Sequence, residues 1–166
     1  MENEIKITGK FEDTTHNKLK DNYYEIVISQ NGSRNLQKII NFTKPSIVSD
    51  IFAEIKDKLP LVIINEYGNY FCPKLYKVIK EKEKILFIVI LADNVLTIGK
   101  SKVGTYPLQA IIDQFNTEKE KEIMLQGLKN CNKNDLLEMC FVINNIKDKI
   151  GPARCAYYRK NGAFLQ

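Results

Sequence analysis

Apolar positions recur at helical spacing along this chain. Leu36, Ile39 and Ile40 stand at i, i+3 and i+4, as do Leu108, Ile111 and Ile112, and Phe52 pairs with Ile55. Residues so spaced share one side of an α-helix, so each stretch predicts a helix with one buried stripe. Shorter apolar runs precede them, at 26–28 and 61–64. Length alone does not separate strand from helix there. A lone strand would leave its edge groups without a sheet partner, so both runs are read as short buried helices.

The pattern repeats. Gly32, Gly68 and Gly104 are spaced 36 residues apart. They open the similar stretches Gly32-Ser33-Arg34-Asn35-Leu36-Gln37, Gly68-Asn69-Tyr70-Phe71-Cys72-Pro73 and Gly104-Thr105-Tyr106-Pro107-Leu108-Gln109. Before the glycines, Ile26, Val62 and Ile98 correspond. After them come Leu36, Cys72 and Leu108, then Ile39, Leu75 and Ile111. Later, Ile51, Phe87 and Ile123 correspond, as do Phe52, Ile88 and Met124, with no gap. Chance spaces three glycines evenly now and then; it rarely aligns every apolar stripe as well. Each unit reads as a short helix, a turn at the glycine, a second helix and a third. Units of this kind stack and bury one continuous core.

The array is expected to run over 17–130 as three repeats. One period upstream of Ile51, Phe52 and Ile55 lie Thr15, His16 and Leu19, in a polar segment. Residues 1–16 are therefore read as a polar tail or cap, with His16 exposed in it. Cys140 falls in the next glycine slot and little of the pattern follows, so 131–166 is read as a degenerate fourth repeat or a C-terminal cap. The final Asn161-Gly162 and Leu165-Gln166 echo the first unit, which suits either a diverged repeat or a fragment of a longer array.

These glycine-led stretches resemble the repeats of the Pumilio (PUF) family over roughly residues 20–130. SQNGSRNLQKII is similar to the first repeat of that family, NEYGNYFCPKLY to the second and SKVGTYPLQAII to the third. The resemblance implies an all-α, right-handed superhelical solenoid of three-helix repeats of 36 residues, armadillo-like in build. It also implies that the second helices line a concave side that binds single-stranded RNA, about one base per repeat. Two side chains four residues apart would contact a base edge, and the residue after the first would stack between bases. On that likeness Ser33 with Gln37 is an adenine-reading pair flanked by Arg34, and Thr105 with Gln109 is a second, flanked by Tyr106. Asn69 and Tyr70 fit a uracil reader, but Pro73 stands where the family has Gln. Proline has no polar side-chain atom and no N–H, which weakens reading of the middle base in an A-U-A-like segment.

Each of these residues has a plainer reading. Ser33, Asn69 and Thr105 are good helix N-caps. Against that role, a capping box would place Glu or Gln three residues on, where Leu36, Cys72 and Leu108 stand. Arg34, Tyr70 and Tyr106 are either stacking groups or merely exposed. Lys38, Lys74 and Lys77 either contact phosphates or are solvated. Cys72 is read as a small core residue.

Composition narrows the function further. Hydrophobic residues make up 44% and charged residues 27%, which suits a folded chain rather than a disordered one. The net charge of +5 permits a polyanionic partner without demanding one. Cys72, Cys131, Cys140 and Cys155 form no C-x-x-C pair, and the one histidine is remote, so neither zinc nor any other cofactor is expected. Free thiols and the absence of an apolar leader point to a reducing, cytoplasmic setting, where the glycosylation patterns at Asn31 and Asn41 mean nothing. The longest apolar run, 85–92, is too short to span a bilayer. Gly99-Lys100-Ser101 ends like a P-loop, but Asn94 stands where the loop needs glycine. With a single histidine and no paired carboxylates, the chain is not expected to be an enzyme. Two functions remain. One is single-stranded RNA binding in post-transcriptional control of mRNA, with regulatory proteins on the convex side. The other is a helical scaffold for protein partners that has lost base reading.

Overall fold

The computed structural model describes residues 13–139, and every described element is helical. Cys140 and the rest of the expected fourth unit lie outside the described residues.

The chain begins with α1 (Asp13–Leu19) and then runs through three units. Their first helices are short: α2 (Tyr23–Val27), α5 (Leu59–Ile63) and α8 (Val95–Lys100). The second helices are α3 (Gln30–Ile39), α6 (Cys72–Val78) behind a 3₁₀ turn at Gly68–Tyr70, and α9 (Thr105–Ile112). The third are α4 (Pro45–Ile55), α7 (Glu81–Asp93) and α10 (Glu118–Lys129), and α11 (Lys133–Glu138) follows. The runs at 26–28 and 61–64 thus belong to first helices and their ends, as expected.

Local chemistry explains the repetition. Asn22, Lys58 and Asn94 precede the first helices with nearly the same backbone, φ −128°, −108° and −116° with ψ 6°, 8° and 13°. Pro45 and Pro60 occupy first-turn helix positions, where a missing N–H leaves no helical bond unmade. The glycines are required by close approach. An ideal Cβ on Gly32, Gly68 or Gly104 would lie 2.3, 2.7 or 2.5 Å from the carbonyl oxygen of Ile26, Val62 or Ile98. The first helix of each unit therefore lies directly on the turn into the second.

One hydrophobic core runs through all the units, from Tyr23 to Met139. Phe52 stacks on Phe87 at 5.9 Å, and Tyr76 meets Phe87 edge-on at 5.4 Å, so aromatic rings bridge consecutive layers. Cys72 is wholly buried there, and burial pushes its thiol pKa up.

Two expectations need correction. The first is the gapless alignment of the third helices. Met124, Leu125 and Leu128 are buried where the second unit buries Phe87, Ile88 and Leu91, while Ile123 is only partly buried. The third unit is one residue out of register, because Thr117, which caps α10, follows Lys80, which precedes α7, by 37 residues. The contiguous Ile123-Met124-Leu125 triplet conceals this slip in the apolar pattern. The extra residue lies beside a buried carboxylate. Glu120, 2% exposed, accepts from Tyr76 Oη at 2.5 Å, Asn116 N at 2.7 Å, and Thr117 N and Oγ1 at 2.6 and 2.9 Å. Burial favours its neutral form, but these donors together outweigh burial and hold its pKa below the usual value. Burial, and then the same contact, push the Tyr76 phenol up.

The second correction concerns His16. It is 6% exposed, not a free residue of a tail. Helix α1 occupies the place of a third helix one period upstream, and His16 takes the slot that Phe52 holds in the next layer. Its ring stacks on Tyr23 at 5.9 Å, with Nδ1 2.8 Å from Tyr23 Oη and Nε2 3.0 Å from Asp50 Oδ2. A polar segment hid a packed position because both ring nitrogens have partners.

Candidate nucleic-acid interface

All eight candidate residues come to one layer. Ser33, Arg34 and Gln37 lie on α3, Asn69 and Tyr70 in the 3₁₀ turn before α6, and Thr105, Tyr106 and Gln109 on α9. Helix α3 packs beside that turn, and the turn and α6 both pack against α9. The second helices thus stand side by side.

Within the layer the residues separate by depth. Tyr70 and Tyr106 are 54% and 58% exposed, with ring centroids 6.0 Å apart and planes tilted by 49°. Arg34 is exposed as well, and Gln37 and Gln109 are half-buried. Ser33 and Asn69, by contrast, are buried. Ser33 Oγ donates to Tyr67 O at 2.8 Å, bridging to the next unit, and accepts from Gln37 Nε2 at 3.1 Å. Asn69 Nδ2 donates to Asn65 O and Glu66 O, both at 2.9 Å. Thr105 Oγ1 donates to Ser101 O at 2.9 Å. Pro73 is half-buried in the slot that Gln37 and Gln109 hold in their units, and its carbonyl accepts from Gln114 Nε2 at 3.1 Å.

The capping alternative fails for Ser33, Asn69 and Thr105. Ser33 lies inside α3, Asn69 lies in the 3₁₀ turn, and Thr105 is the first residue of α9, after its cap Gly104. The turns are closed by other residues, which the sequence reading missed. Ser29 Oγ accepts from Gly32 N, Asn65 Oδ1 from Tyr67 N and Gly68 N, and Ser101 Oγ from Val103 N and Gly104 N. Ser29, Asn65 and Ser101 each stand three residues before a glycine, so the same periodicity carried their signal.

Charge on the layer has one sign. Helices α3, α6 and α9 contain no Asp or Glu, whereas α3 and α6 expose Arg34, Lys38, Lys74 and Lys77. Among the described residues none of these four is in an ion pair. The layer therefore offers flat rings, carboxamides and unpaired cations together.

Elsewhere, Leu61, Leu86 and Val89 are exposed on the first and third helices of the middle unit. No helix among the described residues is long and apolar enough to cross a membrane.

Comparison with known proteins agrees with this architecture. No family model matches the chain. The Pumilio domain-containing protein C6G9.14 of Schizosaccharomyces pombe is 29% identical over 119 residues, which is 67% of this chain and 18% of that protein. Suppressor protein MPT5 of Saccharomyces cerevisiae is 31% identical over 107 residues, 63% of this chain and 12% of that protein. The RNA-binding domain of yeast Puf5p, solved with AAT2 RNA, superposes with a TM-score of 0.75 at 26% identity, covering 84% of this chain and 41% of that one. PUF-8, solved with PBE-RNA, shares the fold with a TM-score of 0.73 at 14% identity, covering 84% and 44%. The chain thus spans less than a quarter of those two curated relatives and under half of either solved domain. In sequence and in fold, the chain is thus similar to the Pumilio (PUF) repeat proteins.

Proposed function

We propose that the second-helix layer binds single-stranded RNA and that the protein acts in post-transcriptional control of mRNA. The observation that carries this reading is the pair of exposed rings, Tyr70 and Tyr106, beside four unpaired cations on a layer without carboxylates. Bases stack on such rings at about 1–3 kcal/mol each, and cations hold the phosphates in register. Arg34 supplies a third flat group, its guanidinium. Ser33, Asn69 and Thr105 act from beneath. Ser33 orients the Gln37 carboxamide, whose Oε1 has no partner among the described residues. Asn69 and Thr105 hold the turns that present Tyr70 and Tyr106. Gln37 and Gln109 then meet base edges; likeness to the Puf5p RNA-binding domain, solved with AAT2 RNA, supports RNA as the ligand.

A titration of labelled adenine-rich single-stranded RNA, followed by fluorescence anisotropy, tests the reading. Arg34→Ala with Gln37→Ala should weaken binding at one base position. Binding no stronger than the salt-sensitive background would sink the proposal. A second reading, a scaffold for protein partners, is favoured by the exposed Leu61, Leu86 and Val89. It predicts loss of a protein partner on Leu86→Glu, in a chain whose RNA binding stays at the salt-sensitive background.

A further inference from the structure

We infer that the layer reads its bases unevenly: the step at the middle unit holds a base by stacking alone and accepts any of the four, whereas its neighbours select. This inference rests on the RNA reading proposed above.

The three units place Gln37, Pro73 and Gln109 in one slot. A glutamine carboxamide offers a donor and an acceptor side by side, which matches the adenine edge. Among the described residues the Gln37 side chain makes one hydrogen bond, from Nε2 to Ser33, and keeps its other Nε2 hydrogen and Oε1 for a base. Pro73 offers nothing comparable. Its ring has no polar atom, it has no N–H, and Gln114 covers its carbonyl. The other polar side chain at this step is Asn69. It is 4% exposed, and both its Nδ2 hydrogens are taken up by the carbonyls of Asn65 and Glu66. Turning it outward would break both bonds and take a donor from the Glu66 carbonyl, while Asn65 O would keep only the Asn69 backbone N–H.

Stacking remains, and it is tolerant, because every base has a π-face. Tyr70 and Tyr106 stand 6.0 Å apart. A base between them needs about 7 Å, twice the 3.4 Å stacking distance, so the rings part by about 1 Å and turn parallel. Lys74 and Lys77 lie on the same helix and serve phosphates, which are alike for all bases.

The test uses the full chain and four labelled RNAs with an adenine–N–adenine core, N being each base in turn, in identical cytidine flanks. The four should bind within about threefold of one another, while replacing either adenine should weaken binding by about fivefold or more. Tyr70→Ala should weaken all four by one common factor. Pro73→Gln should separate the four by about fivefold or more, and Pro73→Ala, which removes the ring without adding an edge donor, should leave them together. Discrimination beyond about tenfold by the natural chain would overturn the inference while leaving RNA binding intact. A guanine preference of that kind would reassign the step to Lys74 or Lys77. If none of the four binds above background, the RNA reading itself falls, and the inference with it.

Discussion

Glu120→Ala should be among the most damaging substitutions in the third unit, and its cost follows from its partners. Tyr76 is 1% exposed, and its hydroxyl donates to Glu120 Oε1. Without the carboxylate that buried donor has no acceptor, which costs about 1–3 kcal/mol. The other oxygen accepts from Asn116 N and Thr117 N, while Thr117 Oγ1 accepts from Glu120 N at 3.2 Å. That reciprocal pair forms the start of α10, and losing its side-chain half costs roughly 1 kcal/mol more. The total is about 2–4 kcal/mol. Urea denaturation followed by helical circular dichroism reads this as a lower midpoint at unchanged slope. Tyr76→Phe in the Glu120→Ala background should recover part of the loss, because it removes the stranded donor. The sign of the pH effect follows from the lowered carboxylate pKa. Its contribution is fully present above the ordinary glutamate pKa, about 4.3, and is lost as pH falls through the depressed folded value. Glu120→Gln should flatten that acid limb. If Glu120→Ala lies within about 0.5 kcal/mol of the natural chain, or if the two substitutions are additive, the assigned network is wrong.

Three further outcomes are expected. Gly68→Ala should cost about 1–3 kcal/mol by overpacking, because its Cβ would lie 2.7 Å from Val62 O and 2.9 Å from Val62 Cγ1; an unchanged denaturation midpoint would contradict the close approach. His16→Ala should destabilise the first layer by about 1–3 kcal/mol, since it strands the Tyr23 hydroxyl, and faster amide exchange confined to α1, α2 and α4 would register it. Cys72 should resist iodoacetamide in the folded protein and react on unfolding, because burial disfavours its thiolate; mass mapping of the alkylated peptide reads the difference.

Much of this was legible before any coordinates. The i, i+3, i+4 stripes and the evenly spaced glycines were enough for an all-helical stack. They also marked the residues that would share the second-helix layer. Apolar periodicity is a local signal, and burying one stripe per helix is what it encodes. Ser29, Asn65 and Ser101 carry the same even spacing three residues before each glycine, so the turn-closing side chains were equally legible.

Tertiary structure decided what local pattern cannot carry. Ser33 faces the carbonyl of Tyr67, and Tyr76 finds Glu120, partners 34 and 44 residues away. The one-residue slip before α10 was invisible because three adjacent apolar residues fit either register. His16 is buried because Tyr23 and Asp50 satisfy its ring from other helices. Whether a polar side chain faces the groove or the core depends on which distant donor or acceptor reaches it, and only the packed stack brings those groups within bonding distance.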